Sequence, residues 1–402
     1  MHLLPALPAL TVLRLTCVSL LAALCLAGAA FAQGAGDAQT QALVRRLQEG
    51  DRRERLAAAE EIKGRGAKAA AAVPALAAAL KDADDDLRKA AAEALGRMGA
   101  EARSAVPALT DALGDANSSV RGNAAFALGQ IGAEADPAVP ALTGLLKDES
   151  PWARAGAARA LGRIGGRAKA SAPALTELLK DRNEGVRRDA AEALGRFGAE
   201  AKAAVPALIL LLKDASAPAR KAAAEALGGI GPEAKGALPA LTESMKDAEF
   251  VVRMSAATAL GRIGLEPGQA VPVWTGALKD SSEHVRRYGA EALAGMGPEA
   301  KAAVPALTEA LKDGDRFVRL SAAKGLGNIG GGAAGSVSAL VGLLKDEEPL
   351  VRAAAAAALG KLGADASAAL PALSELQKDS ATVVRLAVAE AINKISSRAT
   401  RP

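Results

Sequence analysis

Proline recurs at positions 74, 107, 140, 173, 206, 239, 272, 305 and 371, every interval a multiple of 33, with Ser338 on the one missing rung. A chain that repeats at such a period stacks small units side by side, because no single unit can bury its own apolar face. Projected backward, the same phase places a first copy at Gln41, with Ala42, Leu43 and Leu47 standing where the next copy has Ala75, Leu76 and Leu80. Eleven copies, numbered 1 to 11 below, then fill residues 41–402 without an insertion.

The shared pattern of the copies reads roughly Pro-Ala-Leu, three residues, Leu-Lys-Asp, a short polar stretch, Val-Arg, two residues, then Ala-Ala-x-Ala-Leu-Gly-x-Ile-Gly. The chain is 50% hydrophobic but only 2% aromatic, so its core has to come from Ala, Leu and Val on closely approaching helices, with almost no strand. In copy 3, Leu109 and Leu113 lie four apart and mark one face of a first helix. A proline deep in a helix costs about 3 kcal/mol. Pro107 is therefore expected early in that helix or at a kink, the segment beginning after Gly99. The second helix has a start signal four residues before the Arg, at Asp51, Asp84, Asn117, Ser150, Asn183, Ser216, Ser282 and Asp315. Side-chain oxygens there cap otherwise orphaned N–H groups. In copy 3 this helix presents Val120, Ala124, Leu128 and Ile131 on one face, and Gly129 and Gly132 are expected to release the chain. Two helices of about ten residues each are predicted per copy.

The period alone suits ankyrin, TPR and short HEAT units. The Thr-Pro-Leu-His turn of ankyrin is missing, and the recurrent aromatics of TPR are nearly so. What recurs is an Asp, an Arg six residues on, and Ala-Ala-x-Ala-Leu-Gly, as in Asp148, Arg154, Ala157, Ala158, Ala160, Leu161 and Gly162. This closely resembles the HEAT repeat, particularly its short phycobilisome lyase-like form, over nearly all of residues 41–402. The resemblance implies an all-α fold, an α-solenoid or HEAT-like superhelix of eleven helix pairs. It also implies a ladder in which each Asp meets the Arg of its own or an adjacent copy, and second helices lining a concave face. Three positions depart from the pattern: Ala294 replaces the Leu-Gly glycine, Ser338 the proline, and Trp274 a Leu. In the last copy Gln377 replaces a core Leu while Asn393 and Ser396 replace both glycines, which marks a terminal cap before a polar tail with Arg398 and Arg401.

Residues 1–32 differ from the rest. Arg14, an apolar run from Leu15 to Ala30, and Ala30-Phe31-Ala32 before Gln33 form the secretory pattern. The run is shorter than the roughly 20 residues of a membrane span. Residues 1–32 are therefore read as a cleavable signal peptide and 33–40 as a short linker. The expected mature chain is exported, periplasmic or extracellular, with no transmembrane segment after cleavage; retention of the leader as an anchor is the alternative. Cys17 and Cys25 both fall in the leader, so that mature chain has no thiol for a disulfide, a metal or a nucleophile. With Arg14 the leader's single charge, the net +5 of the whole chain becomes +4, too balanced to argue for nucleic acid.

Catalytic constellations are scarce. Deoxyhypusine hydroxylases resemble this fold and hold iron with His-Glu pairs, but the expected mature chain has only His284 and no His-Glu step. The Gly96 and Gly99 spacing recurs as a helix-ending turn and not as a phosphate loop. No catalytic residue, cofactor or metal ligand is assigned. Binding is better sought where copies differ, one, two, five and nine residues after the Arg, positions expected to point outward from the second helix. Pairs such as Glu93 with Arg97 and Glu192 with Arg196 account for much of this face. Two places resist that reading. Phe126 is an apolar ring there, beside Arg159 and Arg163, which lack a Glu partner, with Arg188 one copy further; the second is Tyr288, next to Arg287. Aromatics and Arg dominate interface energetics, so these six are the candidate partner-binding residues. The expected function is a non-catalytic protein-protein interaction scaffold with an unknown protein partner on the concave face. The alternative is a lyase-like or enzyme-associated HEAT protein, of phycobilisome lyase or deoxyhypusine hydroxylase type, cradling a small ligand.

Overall fold

In a computed structural model of the protein, residues 38–399 are described. The expected signal peptide, residues 33–37 of the linker, Arg401 and the side chain of Arg398 lie outside the described residues. A helix already runs over residues 38–49, so the end of the expected linker is helical. Eleven helix pairs follow one another as an α-solenoid, with no strand among the described residues. The chain forms two units, one up to Arg196 and one from Phe197 on, and both are built the same way.

Copy 3 shows the local logic. A seven-residue 3-10 run, Gly99–Ala105, leads into a seven-residue α-helix, Val106–Ala112, and a fourteen-residue α-helix follows at Ser118–Ile131. Pro107 is the second residue of its α-helix, where an N–H would have no intrahelical acceptor, so the recurrent proline removes no bond. In four copies the backbone leaves helical geometry within the 3-10 run itself, at Ala69, Ala168, Ala234 and Ala333, ahead of the proline position. The two helices are thus unequal, seven and fourteen residues, and not about ten each. Gly132, at φ 76°, ends the second helix as expected, but Gly129 lies inside it.

Gly129 serves packing. A Cβ there would lie 2.9 Å from the Cα of Ala160 in the next copy, and one at Gly162 would lie 2.7 Å from the Cα of Ala193. The second helices touch backbone to backbone at these points. Ala294 breaks the column, and the residue facing it answers: where other copies place Ala, copy 9 has Gly325, whose Cβ position is 3.5 Å from the Cα of Ala294. The small and smaller partners are exchanged, and the approach relaxes there to ordinary van der Waals distance.

Helix starts follow the expectation at Asp51, Asp84, Asn117, Asn183 and Asp315, whose side chains accept backbone N–H groups of the first turn. Ser150, Ser216 and Ser282 hold the same place without such a bond. Their turns keep the bond that the Asp two residues earlier also makes at Asp84, Asn117, Asn183 and Asp315: its Oδ1 accepts the serine N–H at 2.8 Å in all three.

That Asp is also the ladder rung. Arg121 donates through Nε and Nη2 to Asp148 of the next copy at 2.7 and 2.8 Å, and through Nη1 to the carbonyls of Asp115 and Ala116 in its own copy at 2.8 and 3.0 Å. Arg55 with Asp82, Arg88 with Asp115, Arg154 with Asp181, and the five pairs from Arg220 with Asp247 to Arg352 with Asp379 repeat the contact. The carboxylate comes from the following copy, and the Arg's own copy supplies carbonyls. Arg385, in the last copy, bonds the carbonyls of Asp379 and Ser380 and the Thr382 hydroxyl. Without the usual glycines, the last helix, Thr382–Ala399, extends to eighteen residues; Val383 and Leu386, in its first turns, are exposed.

The ladder predicts an acid limit. Burial pushes the Asp148 carboxyl up, but the bonds from Arg121 and the Ser150 N–H, with the charges of Arg121 and Arg154, outweigh it and hold Asp148 below its ordinary 3.8. Asp115, Asp181, Asp280, Asp313 and Asp346 are held down in the same way. A folded value below the unfolded one contributes stability that is present above the unfolded value and fades as pH falls through the folded one. The helical signal should therefore hold from neutral pH down to the ordinary carboxylate range and collapse below it. An acid titration by circular dichroism checks this; Asp148→Asn should shrink the acid-dependent part of the stability, and a titration unchanged by that variant would count against the ladder.

Candidate partner-binding site

Four of the six candidate residues lie in the first unit, where the structure ties most of them into the fold. Phe126 is half-buried, its ring 3.0 Å from where a Cβ on Gly96 would stand. Trp152, 49% exposed, lies over Gly122 beside it. Phe126, Trp152, Arg159 and Arg163 surround a hollow of only about 10 Å³, room for no more than a water. Arg159 does have an acidic partner. It donates to Asp189 at 2.6 Å, and the same carboxylate takes Arg188 Nε at 2.9 Å. Asp189 is 2% exposed, two residues after the ladder Arg, at a position expected to point outward.

The whole of that position is turned inward, since Asn123, Ser255 and Ser321 are buried there too. It packs against the previous copy's second helix and bonds the residue five after that copy's Arg: Asn123 with Glu93 at 3.0 Å, Ser255 with Glu225 at 3.3 Å. Glu93 is thereby taken by Asn123 and by Lys63 at 3.1 Å, in place of Arg97, and Glu192 lies 3.9 Å from Arg188. Arg163 bonds the side-chain oxygen of Gln130. Burial and the charges of Arg196 and Arg159 hold its guanidinium below its ordinary value.

In the second unit the inward position has been used differently. Tyr288 stands in a column otherwise filled by Ala90, Asn123, Gly156, Asp189, Ala222, Ser255, Ser321 and Ala354. Too large for that seat, its ring packs edge-on against Trp274 with centroids 5.6 Å apart, and its hydroxyl reaches the space beside Gly261. Burial raises the Tyr288 pKa, with the charge of Arg262 pulling it back. Arg287 is exposed, pairs with Glu291 at 2.8 Å and lies 4.6 Å over the Phe317 ring.

A second irregularity meets this one. Where other copies bury an alanine, such as Ala135, Ala234 or Ala300, copy 7 has Pro267, which is exposed. The 3-10 run is replaced by an eleven-residue α-helix, Pro267–Ala277, and Gly264 leaves the preceding helix at ψ 114°, whereas Gly231 does so at −143°. Trp274, 4% exposed, takes the place of a core Leu. Between these displaced elements opens a cleft of about 540 Å³ whose walls include Leu260, Arg262, Leu265, Trp274, Tyr288 and Glu299.

A second hollow of about 380 Å³ adjoins it, lined by Phe250, Val251, Met254 and Lys221 and sharing Thr258 and Arg262 with the first. Phe250 is 47% exposed at the start of its helix, Phe250–Ile263. Arg262, in the last turn of that helix, is exposed and makes no ion pair or hydrogen bond among the described residues. The residue four before it is Thr258, whose hydroxyl bonds the Met254 carbonyl at 2.9 Å, whereas the same spacing in the last copy sets Glu390 against Lys394 at 2.5 Å. Phe250, Met254, Arg262 and Pro267 were not singled out in the sequence; the signal for Pro267 was a lone proline in an alanine column. The arrangement offers two apolar hollows with an unneutralised guanidinium between them.

Comparison with known proteins agrees with this architecture. The HEAT repeat family matches residues 40–117, 106–195, 205–271, 271–337 and 332–393, and the PBS lyase HEAT-like repeat matches 186–214. Importin beta superposes with a TM-score of 0.58 at 16% identity, over 90% of this chain and 56% of that one. An engineered protein gives 0.57 at 24% identity over 81% and 99%, and Kap95p gives 0.54 at 15% over 88% and 57%. The chain thus spans a little over half the length of importin beta and Kap95p, and at these identities the likeness shows the fold alone. No curated protein matches the chain. The 33-residue helix pairs, the Asp-Arg ladder between them and family matches over most of its length all agree: the chain belongs to the HEAT repeat family.

Proposed function

We propose that this protein is a non-catalytic scaffold that binds protein partners through the face built by its second helices, the expected concave side. It does so outside the cytoplasm, in the periplasm or beyond, once residues 1–32 are removed. The observation that carries the binding reading is the run of two hollows around Arg262, with Phe250 exposed beside it. Aromatic and Arg side chains of this kind anchor interfaces. The conserved-looking columns of the repeat do not compete for the role, because their Asp and Arg are consumed by the ladder. HEAT proteins of similar fold support it: Kap95p is recorded binding RanGDP, and Kap121p bound to the extreme C-terminus of the phosphatase Cdc14p.

A photo-crosslinking residue at Phe250 tests this in the native cell, with one at Leu210, exposed on a first helix of the same unit, as the control. Partner adducts are expected from the exported fraction at position 250 and not at 210. Equal adducts at both, or none at 250, would count against binding through the second-helix face. The lyase-like alternative draws on the volume of the larger cleft, within the range of about 300–1,000 Å³ of small-ligand sites. A visible absorption band on the purified chain would favour that alternative.

A further inference from the structure

The geometry points to an extended peptide segment as the occupant of the groove in copies 6 to 8: one in which an acidic residue sits between two apolar side chains. This rests on the scaffold reading and names the chemistry of its partner. The larger cleft is walled by Leu260, Leu265, Trp274 and Tyr288, and the smaller by Phe250, Val251 and Met254. Both hollows are lined by Thr258 and Arg262, so the two apolar seats flank one guanidinium.

The neighbouring charges select the sign of what meets Arg262. Lys221 is neutralised by Glu225 at 2.9 Å and Arg287 by Glu291 at 2.8 Å, which leaves Arg262 as the cation without a partner in the groove. A guanidinium presents a fork of donors that matches a carboxylate. Glu299 lines the larger cleft, where it disfavours a second acid and confines the acidic residue to the middle. The hollows belong to successive second-helix layers, and packed helices lie about 8–10 Å apart. An extended chain rises about 3.3 Å per residue. The two apolar residues are therefore two or three positions apart, with the acid between them. A compact small molecule would fill the larger cleft and leave Phe250 and Met254 uncovered.

Panning a phage-displayed library of random linear nine-residue peptides on the full chain without residues 1–32 tests this. Enrichment of apolar residues two or three apart enclosing Asp or Glu is expected. A synthetic peptide of the winning sequence can then be titrated by the fluorescence of Trp274 in a Trp152→Phe background. Arg262→Glu should weaken binding by about tenfold or more, and Lys in place of the peptide's acid should restore it. Tyr288→Ser, which brings in the residue found at Ser255 and Ser321, should weaken it as well. Arg262 is exposed, so unchanged melting of the Arg262→Glu variant separates lost binding from lost fold. No enrichment, or peptides indifferent to Arg262→Glu, would overturn the inference. If crosslinks at position 250 persist in that case, the scaffold reading stands and only the peptide chemistry falls; if they vanish too, both fall.

Discussion

Replacing Arg121 with alanine should destabilise the first unit by about 3–5 kcal/mol, the cost of stripping one partner from a buried ion pair. Arg121 is 8% exposed and serves four acceptors: both oxygens of Asp148 and the carbonyls of Asp115 and Ala116. Alanine leaves the Asp148 carboxylate partly buried, with the Ser150 N–H as its nearest remaining donor. Arg385→Ala is the control. It removes the same side chain from a rung where the bonds go to two carbonyls and a hydroxyl, so about 0–1 kcal/mol is expected. Native-state hydrogen exchange of the second helices in copies 3, 4 and 11 measures both, since it reads local opening in an array that need not unfold in one step. Equal losses at Arg121 and Arg385 would mean that the inter-copy carboxylate contributes little.

Gly162→Ala is expected to cost about 1–3 kcal/mol through overpacking, against an intrinsic helix preference that favours alanine by up to about 1 kcal/mol. Packing wins because the new Cβ would stand 2.7 Å from the Cα of Ala193 and 2.9 Å from its Cβ, and backbone cannot swing aside as a long side chain can. The layer itself has to open. Gly144→Ala, with nothing within 4 Å of the new atom, should be neutral or stabilising by up to about 1 kcal/mol. Gly325→Ala falls between them, meeting Leu307 Cδ1 at 3.2 Å and the Ala294 Cα at 3.5 Å, and adding Ala294→Gly, which restores the pairing of the other copies but leaves Leu307 in place, should recover only part of its loss. Thermal melts of the four variants check the order; a Gly162→Ala protein as stable as Gly144→Ala would show that the layers are looser than the structure has them.

These two effects also separate what could be read from residues alone. The period, the helical composition and the recurrence of Asp and Arg at fixed places are visible because the chain repeats them from copy to copy, although which copy's Asp each Arg meets is not. Proline at the head of the first helix and Gly132 at the end of the second follow from backbone chemistry that no neighbour alters. The sequence by itself therefore determined the solenoid, its family and the identity of the ladder residues.

Tertiary structure decided the relations between copies. Gly129 could be a helix stop or a contact point, and only the approach of Ala160 makes it the latter. Asp189 and Tyr288 share a column two residues after the Arg, and the rotation of each helix against the one before it turns that column inward. Arg159 and Arg188 thereby lost their standing as free cations to Asp189, while Arg262 is left without a partner among the described residues. The cleft at Trp274 required Pro267, Gly264 and Tyr288 to act together across three helices. A repeat pattern records which residue types recur, and the side of a helix that meets its neighbour is set only when the layers close on one another.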